Sequence, residues 1–194
     1  MRKTKIGIFG GTFNPVHLGH VNIAKAFIEQ FMLDILYVIP NNIPPIKESY
    51  GVSGQDRLNM LKLAFADIEK AIVNDTEIKR GGMSYTCETV AELKDMHPES
   101  ELLLLIGDDW VDRFDKWKDW RYITDNVTPI VACRGNIDIS EPLERLYRIS
   151  GKRFLLLENE RISASSTEFR GSNNSQLLPK AVYEYIEERG LYRK

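Results

Sequence analysis

Lys5-Ile6-Gly7-Ile8-Phe9-Gly10-Gly11-Thr12-Phe13-Asn14-Pro15-Val16-His17-Leu18-Gly19-His20 decides the fold. A short apolar run ends in two glycines, and Ile23, Ala24, Phe27 and Ile28 then recur at the spacings of a helix. The stretch reads as a strand, a glycine turn and a helix start. Glycines, lacking a Cβ, let a phosphate approach the backbone, and the N–H groups and dipole of a helix start favour an anion. His17 and His20 are spaced so that both imidazoles face one side, and Gly19 between them leaves room for a ligand. A histidine pair taken alone is more often structural or half of a metal site. Its place just after a first-strand glycine turn points to phosphate instead.

Further apolar runs rich in branched residues fall at 35–39, 102–106, 129–133 and 154–157, with helical patterns between most of them. Residues 72–79 form a weaker strand candidate, because Asn74, Asp75 and Glu77 interrupt it. This alternation predicts a doubly wound, Rossmann-like α/β fold, with a mostly parallel sheet, helices on both faces and ligands beyond the carboxyl ends of the strands. One helix carries Leu58, Leu61, Phe65, Ile68 and Ile72 as a stripe, with a capping box from Ser53 and Asp56. A second starts near Thr86, turns Val90 and Leu93 to one side and stops before Pro98; a third starts near Pro179 and carries Val182, Tyr185 and Ile186. Trp110, Phe114 and Trp117 also have helix-stripe spacing. Residues 41–54 form the longest active-site loop and 171–175 the most flexible one.

With 194 residues, 43% hydrophobic and 28% charged, the chain suits one domain around a single core. A net charge of -2 supplies no basic field for a nucleic-acid backbone, so an anionic substrate needs a local site. Cys87 and Cys133 form no CxxC pair or disulfide framework, which fits ordinary thiols in a reducing cytoplasm. The residues before Ile6 hold no apolar leader and the 102–106 run is far too short for a membrane span, so neither export nor insertion is expected. Self-association is left open.

A second constellation, Ser163-Ala164-Ser165-Ser166-Thr167-Glu168-Phe169-Arg170, follows the 154–157 run. Hydroxyls at a helix start are usually N-caps, but several of them with an arginine one turn on suit a second polyphosphate clamp. Asp108 and Asp109 end an apolar strand, where a carboxylate can bind a ribose hydroxyl or hydrated Mg2+.

Together these segments resemble the HxGH superfamily of nucleotidyltransferases, in which a GGTFxPxHxGH segment and an ISSTxxR-like segment enclose the triphosphate of ATP. Class I aminoacyl-tRNA synthetases pair HxGH with a KMSKS-type segment, which this chain lacks. Over essentially its full length the chain resembles the bacterial nicotinate mononucleotide adenylyltransferases. Ile39-Pro40-Asn41-Asn42-Ile43-Pro44-Pro45-Ile46-Lys47 is similar to their PNxxPPHK loop, and Arg80-Gly81-Gly82-Met83-Ser84-Tyr85-Thr86 to their RxGxSYT segment. Ile106-Gly107-Asp108-Asp109 with Trp117 and Trp120 is similar to their IGxD and WxxW pattern, and Leu178 to Tyr192 to their last helix.

The resemblance implies adenylyl transfer from ATP to nicotinate mononucleotide with release of pyrophosphate, aided by Mg2+ carried mainly on ATP. It assigns catalysis to His17, His20 and Arg170. ATP would meet Gly10, Gly11, Thr12, Phe13, Gly19, Asp109, Ser165, Ser166 and Thr167 as well. The mononucleotide would meet Asn41, Lys47, Ser84, Tyr85, Thr86, Trp117 and Arg134. The chain departs from the family wording at Asn14, Ile46, Glu88, Gly135 and Ala164, where aspartate, histidine, aspartate, proline and isoleucine are usual. Two other readings are a sister transferase using pantetheine phosphate or a cytidine nucleotide, and a nucleotide sensor without turnover.

Overall fold

The branched runs pair side by side, every pair parallel, in the computed structural model, which describes residues 2–44, 51–133, 138–158 and 164–193. In chain order the described elements are β1 (Lys5–Gly11), α1 (Leu18–Gln30), β2 (Ile35–Pro40), α2 (Gly54–Ala64), β3 (Ala71–Val73), α3 (Thr76–Arg80), α4 (Thr86–Met96), β4 (Glu101–Gly107), α5 (Asp108–Val111), α6 (Trp120–Asn126), β5 (Thr128–Ala132), α7 (Ser140–Ser150), β6 (Leu155–Leu157), α8 (Ser166–Ser172) and α9 (Lys180–Arg189). The sheet order is β3-β2-β1-β4-β5-β6. Strand order reverses between β1 and β4, which opens a crevice at their carboxyl ends, as the Rossmann-like expectation requires.

Alternation along β4 builds a core on each face. Leu103 and Leu105 join Phe9, Phe27, Val38 and the buried side of α9, while Leu102, Leu104 and Ile106 join Ile6, Ile8, Val90, Phe114 and Ile123. A Cβ at Gly7 would come within 2.5 Å of Leu33 and 2.9 Å of Phe27. Gly7 therefore lets α1 lie directly on β1. At the β6 edge, Gln30 ends α1 by donating to the Leu156 carbonyl at 3.0 Å and accepting the Glu158 N–H at 2.8 Å. Among the described residues no helix is long and apolar enough to cross a membrane.

Several local expectations need correction. The α2 stripe stops at Ala64; Ile68 lies in the turn beyond it, and Ile72 sits in β3, where pairing of Ala71 with Leu36 overrides the helical spacing. Of the weak 72–79 candidate only Ile72 and Val73 are strand, at the end of β3, because Asn74 accepts the Thr76 N–H at 2.8 Å and turns the chain into α3. Trp110, Phe114 and Trp117 do not share one helix: α5 ends at Val111, a 3-10 turn spans Phe114–Lys116, and Trp117 is extended. The supposed flexible loop at 171–175 is largely ordered structure, since α8 takes Gly171 and Ser172 and Asn173 closes it in the left-handed region.

Candidate active site

The crevice between β1 and β4 is a cleft of about 870 Å³. Gly10, Gly11, Thr12 and Phe13 leave β1 along one wall, and a Cβ added at Gly10 would meet nothing within 4 Å. Phe13 is held at φ +48, in the left-handed region, with its ring buried edge-on against Phe9 at 5.2 Å and His20 at 5.0 Å. Such a conformation costs of order 1 kcal/mol or more for a residue with a side chain, and the packed ring holds it.

His17 caps α1 and His20 lies in its first turn, and their rings stack with centroids 3.6 Å apart. Each residue is 7% exposed. The His17 backbone N–H donates to His20 Nδ1 at 3.2 Å. A neutral His20 with Nδ1 occupied in this way carries its proton on Nε2. A Cβ at Gly19 would press to 3.0 Å on the His17 ring and 3.4 Å on the Ala164 carbonyl. Gly19 thus lets the histidine helix approach the 164–170 segment.

That segment docks on the glycine turn although nearly the whole chain separates them. Ser166 donates to the Pro15 carbonyl at 2.8 Å, and Arg170 Nη1 donates to the Asn14 carbonyl at 2.5 Å. Arg170 Nη2 donates to Thr167 Oγ1 at 3.1 Å, and Ser165 caps α8 by accepting the Glu168 N–H at 3.0 Å. Ser165, Ser166, Thr167 and Arg170 all line the cleft, although each also makes one of these local contacts. Tyr192 fastens the turn from behind, its hydroxyl donating to Asn14 Oδ1; burial pushes its titration well above the usual phenol range, so it stays a donor.

On the opposite wall stand Asn41, Ser84, Tyr85, Thr86, Asp109 and Trp117. Asp109 is exposed and lines the cleft, whereas Asp108 is buried and accepts the Asp109 N–H. Tyr85 occupies the cap position of α4, so Thr86 is the first helical residue and does not cap the helix. Trp117 packs its ring 5.0 Å from Phe114 and 5.9 Å from Trp110, yet still borders the cleft. Lys47 and Arg134, the two remaining mononucleotide candidates, lie outside the described residues.

Two side chains of this wall, Lys118 and Glu77, and one buried behind it, Arg57, carry no motif of their own. Arg57 is 4% exposed and donates to the carbonyls of Thr12, Asn41 and Asn42 at 2.9, 2.7 and 3.1 Å, which ties the glycine turn to the loop after β2. Lys118 sits 4.3 Å over the Tyr85 ring and 2.8 Å from Glu88, whose carboxylate raises the lysine's titration. Glu77, also on the cleft, is buried, and burial raises its carboxyl above the ordinary value. Arg57 directly precedes the apolar stripe of α2 and reads as an ordinary helix charge, and no sequence pattern singles out Lys118 or Glu77 as part of the cleft.

Residues 8–172 match a family described as cytidylyltransferase-like. A relative from Neisseria meningitidis serogroup A, named "Probable nicotinate-nucleotide adenylyltransferase", is 35% identical over 98% of this chain and 99% of its own length. The chain belongs to the nicotinate-nucleotide adenylyltransferase family. A relative of the same name from Borreliella afzelii is 38% identical over 98% of this chain and 97% of its own. A solved Plasmodium falciparum nicotinic acid mononucleotide adenylyltransferase complexed with NaAD shares the fold, with a TM-score of 0.81 and 97% coverage of both chains at 18% identity.

Proposed function

We propose that the chain, working as one nucleotidyltransferase domain in the cytoplasm, joins ATP to nicotinate mononucleotide and releases pyrophosphate, a step of NAD biosynthesis. The observation that carries this is the docking of the 164–170 segment onto the histidine-bearing turn, which gathers two phosphate-binding motifs at the β1/β4 crevice. A phosphate oxygen of the mononucleotide attacks the α-phosphorus of ATP, a new P–O bond forms, and the bond to the β-phosphate breaks. The nucleophile is already anionic, so no covalent enzyme intermediate is needed. Catalysis rests on aligning two anions and on stabilising the charge that develops on the leaving group.

His17, His20, Arg170 and the hydroxyls of 165–167 carry that stabilisation, with ATP along Gly10–Phe13 and Gly19. Among the described residues no group of three or more His, Cys, Asp or Glu side chains is placed to hold a metal. Mg2+ would come with the ATP substrate, where it would neutralise phosphate charge, and Asp109, on the cleft wall, would face its water shell or the ribose. Purified protein given ATP and nicotinate mononucleotide should release pyrophosphate and form the dinucleotide in equal amounts. No product with this mononucleotide, alongside product with another acceptor, would rule the proposal out.

Arg170 provides a narrower test. A lysine is a point cation and cannot bond the Asn14 carbonyl and Thr167 together while keeping a planar face toward phosphate. Arg170→Lys should raise the KM for ATP by about tenfold or more, the equivalent of losing one charge-assisted hydrogen bond. Unchanged ATP kinetics would place Arg170 outside the reacting centre.

A further inference from the structure

Arg57 stands behind the cleft, where the wall of the glycine turn meets the wall that continues into α4. α2 fixes the point from which its side chain starts. Ser53 caps that helix by accepting the Asp56 N–H at 3.0 Å, Tyr185 of α9 donates to Asp56 Oδ1 at 2.8 Å, and Leu58 and Leu61 are buried. From this base Arg57 Nη1 donates to the Thr12 carbonyl at 2.9 Å, while Nη2 donates to the Asn41 and Asn42 carbonyls at 2.7 and 3.1 Å. One planar group thus holds the glycine turn through Nη1 and the loop after β2 through Nη2.

Each wall has anchors of its own. The glycine turn is held by Ser166 and Arg170, which donate to the Pro15 and Asn14 carbonyls. The loop is joined to the approach to α4: the Asn42 N–H donates to Ser84 Oγ at 2.9 Å, Asn42 Nδ2 to the Gly82 carbonyl at 3.0 Å, and the Ser84 N–H to the Ile43 carbonyl at 2.9 Å. Asn41 also links the walls, its N–H donating to the Gly11 carbonyl at 3.0 Å and its Nδ2 to Thr12 Oγ1 at 3.3 Å. Arg57 carries the tie one residue further, to Asn42, and so reaches the segment that leads into Ser84, Tyr85 and Thr86.

We propose that Arg57 is a positioning residue that sets the spacing between the ATP wall and the mononucleotide wall, and with it the line along which the two substrates meet. The inference rests on the adenylyltransferase reading above and adds the side chain that joins its two halves. In-line displacement is sensitive to that spacing, since a misplacement of about 1 Å can cost about a hundredfold in rate. The guanidinium stands behind the cleft lining, so each substrate keeps its own contacts when it is lost. Arginine suits a tie that is only 4% exposed, because it keeps its proton when buried and its fork reaches carbonyls in two directions. An ammonium is a single point and can serve one wall only.

The test compares wild type with Arg57→Lys and with Arg57→Met, which fills much of the volume and buries no charge. Four quantities are measured: the single-turnover rate at saturating substrates, the Kd of ATP and of nicotinate mononucleotide each taken alone, the Kd of the dinucleotide product, and the thermal midpoint. Arg57→Lys should lower the single-turnover rate by about tenfold or more, with each substrate Kd changed less than about twofold. The product spans both walls, so its Kd should rise by about tenfold alongside the loss of rate, as when two linked binding groups lose their common geometry. Arg57→Met should show the same split, and it decides the matter if the lysine variant does not fold. An unchanged rate and product Kd, or equal rises in all three Kd values with a lowered midpoint, would overturn the assignment. Failure of both variants to fold would overturn it too, since Arg57 would then be a residue of the fold and not of the spacing. Turnover by the wild type is the control: if it is absent, the adenylyltransferase reading falls and this inference with it; if it is present and the variants match it, Arg57 alone is misassigned.

Discussion

His20→Ala lowers kcat by about two powers of ten or more while leaving the fold intact, the scale seen when one donor to developing charge is removed. His20 has the geometry for this role. Its Nδ1 is held by the His17 N–H, its ring is wedged against Phe13, and the remaining ring nitrogen carries the proton at the cleft. Such a donor is oriented before substrate arrives, so it is not reorganised at the moment of reaction. The structural loss is small, chiefly one cap interaction worth about 1 kcal/mol at the start of a helix that stays anchored by Ile23, Ala24 and Phe27. His17→Ala should behave similarly, because its ring stacks on that of His20. Single-turnover rates with saturating substrates, read beside a thermal melt, separate chemistry from folding. Near-wild-type turnover in a folded variant would refute the assignment.

Nicotinate mononucleotide should be used more efficiently than its nicotinamide counterpart by about three powers of ten, within the range reached when a mismatched ligand leaves buried polar groups unpaired. The two ligands differ by a carboxylate against a neutral amide. The start of α4, with Tyr85 extended at the cap and Thr86 first in the helix, presents N–H groups and the positive end of a dipole. Lys118 over the Tyr85 ring adds a cation on the same wall. An amide would turn its own donors toward these donors, whereas a carboxylate accepts from all of them. Trp117 supplies a flat ring for either ligand and does not discriminate. Comparing kcat/KM for both mononucleotides at saturating ATP decides the matter; equal values, or a preference for the amide, would remove the nicotinate assignment and leave adenylyl transfer standing.

The sheet and its switch point were legible because their signals are local: apolar runs for the strands, and a glycine turn followed by a helical period at β1–α1. The histidine pair was legible for the same reason, since its spacing puts both rings on one face. What could not be read was anything made by contact across the fold. Arg57 reads as an ordinary helix charge, and only the approach of the Thr12 and Asn41 carbonyls makes it a buried tie. Glu77 even counted against its segment being a strand, although the fold buries its carboxylate and brings the Thr89 hydroxyl to it at 2.6 Å. Trp117 shows the reverse error. Its spacing suggested a helix stripe, yet it borders the cleft from an extended segment, because the chain leaves α5 after a single turn.

The small clasp made by Gln30 has a consequence for how molecules of this protein behave toward one another. A terminal strand with exposed Leu155 and Leu156 is the kind of segment that recruits extended chain from a neighbour. The amide of Gln30, bonded to the Leu156 carbonyl and the Glu158 N–H, takes the places that one residue of a seventh parallel strand would use. An incoming peptide must first displace it and desolvate those groups. At this point of the β6 edge templated growth is thereby opposed by an uncharged amide, with no charge placed next to the core.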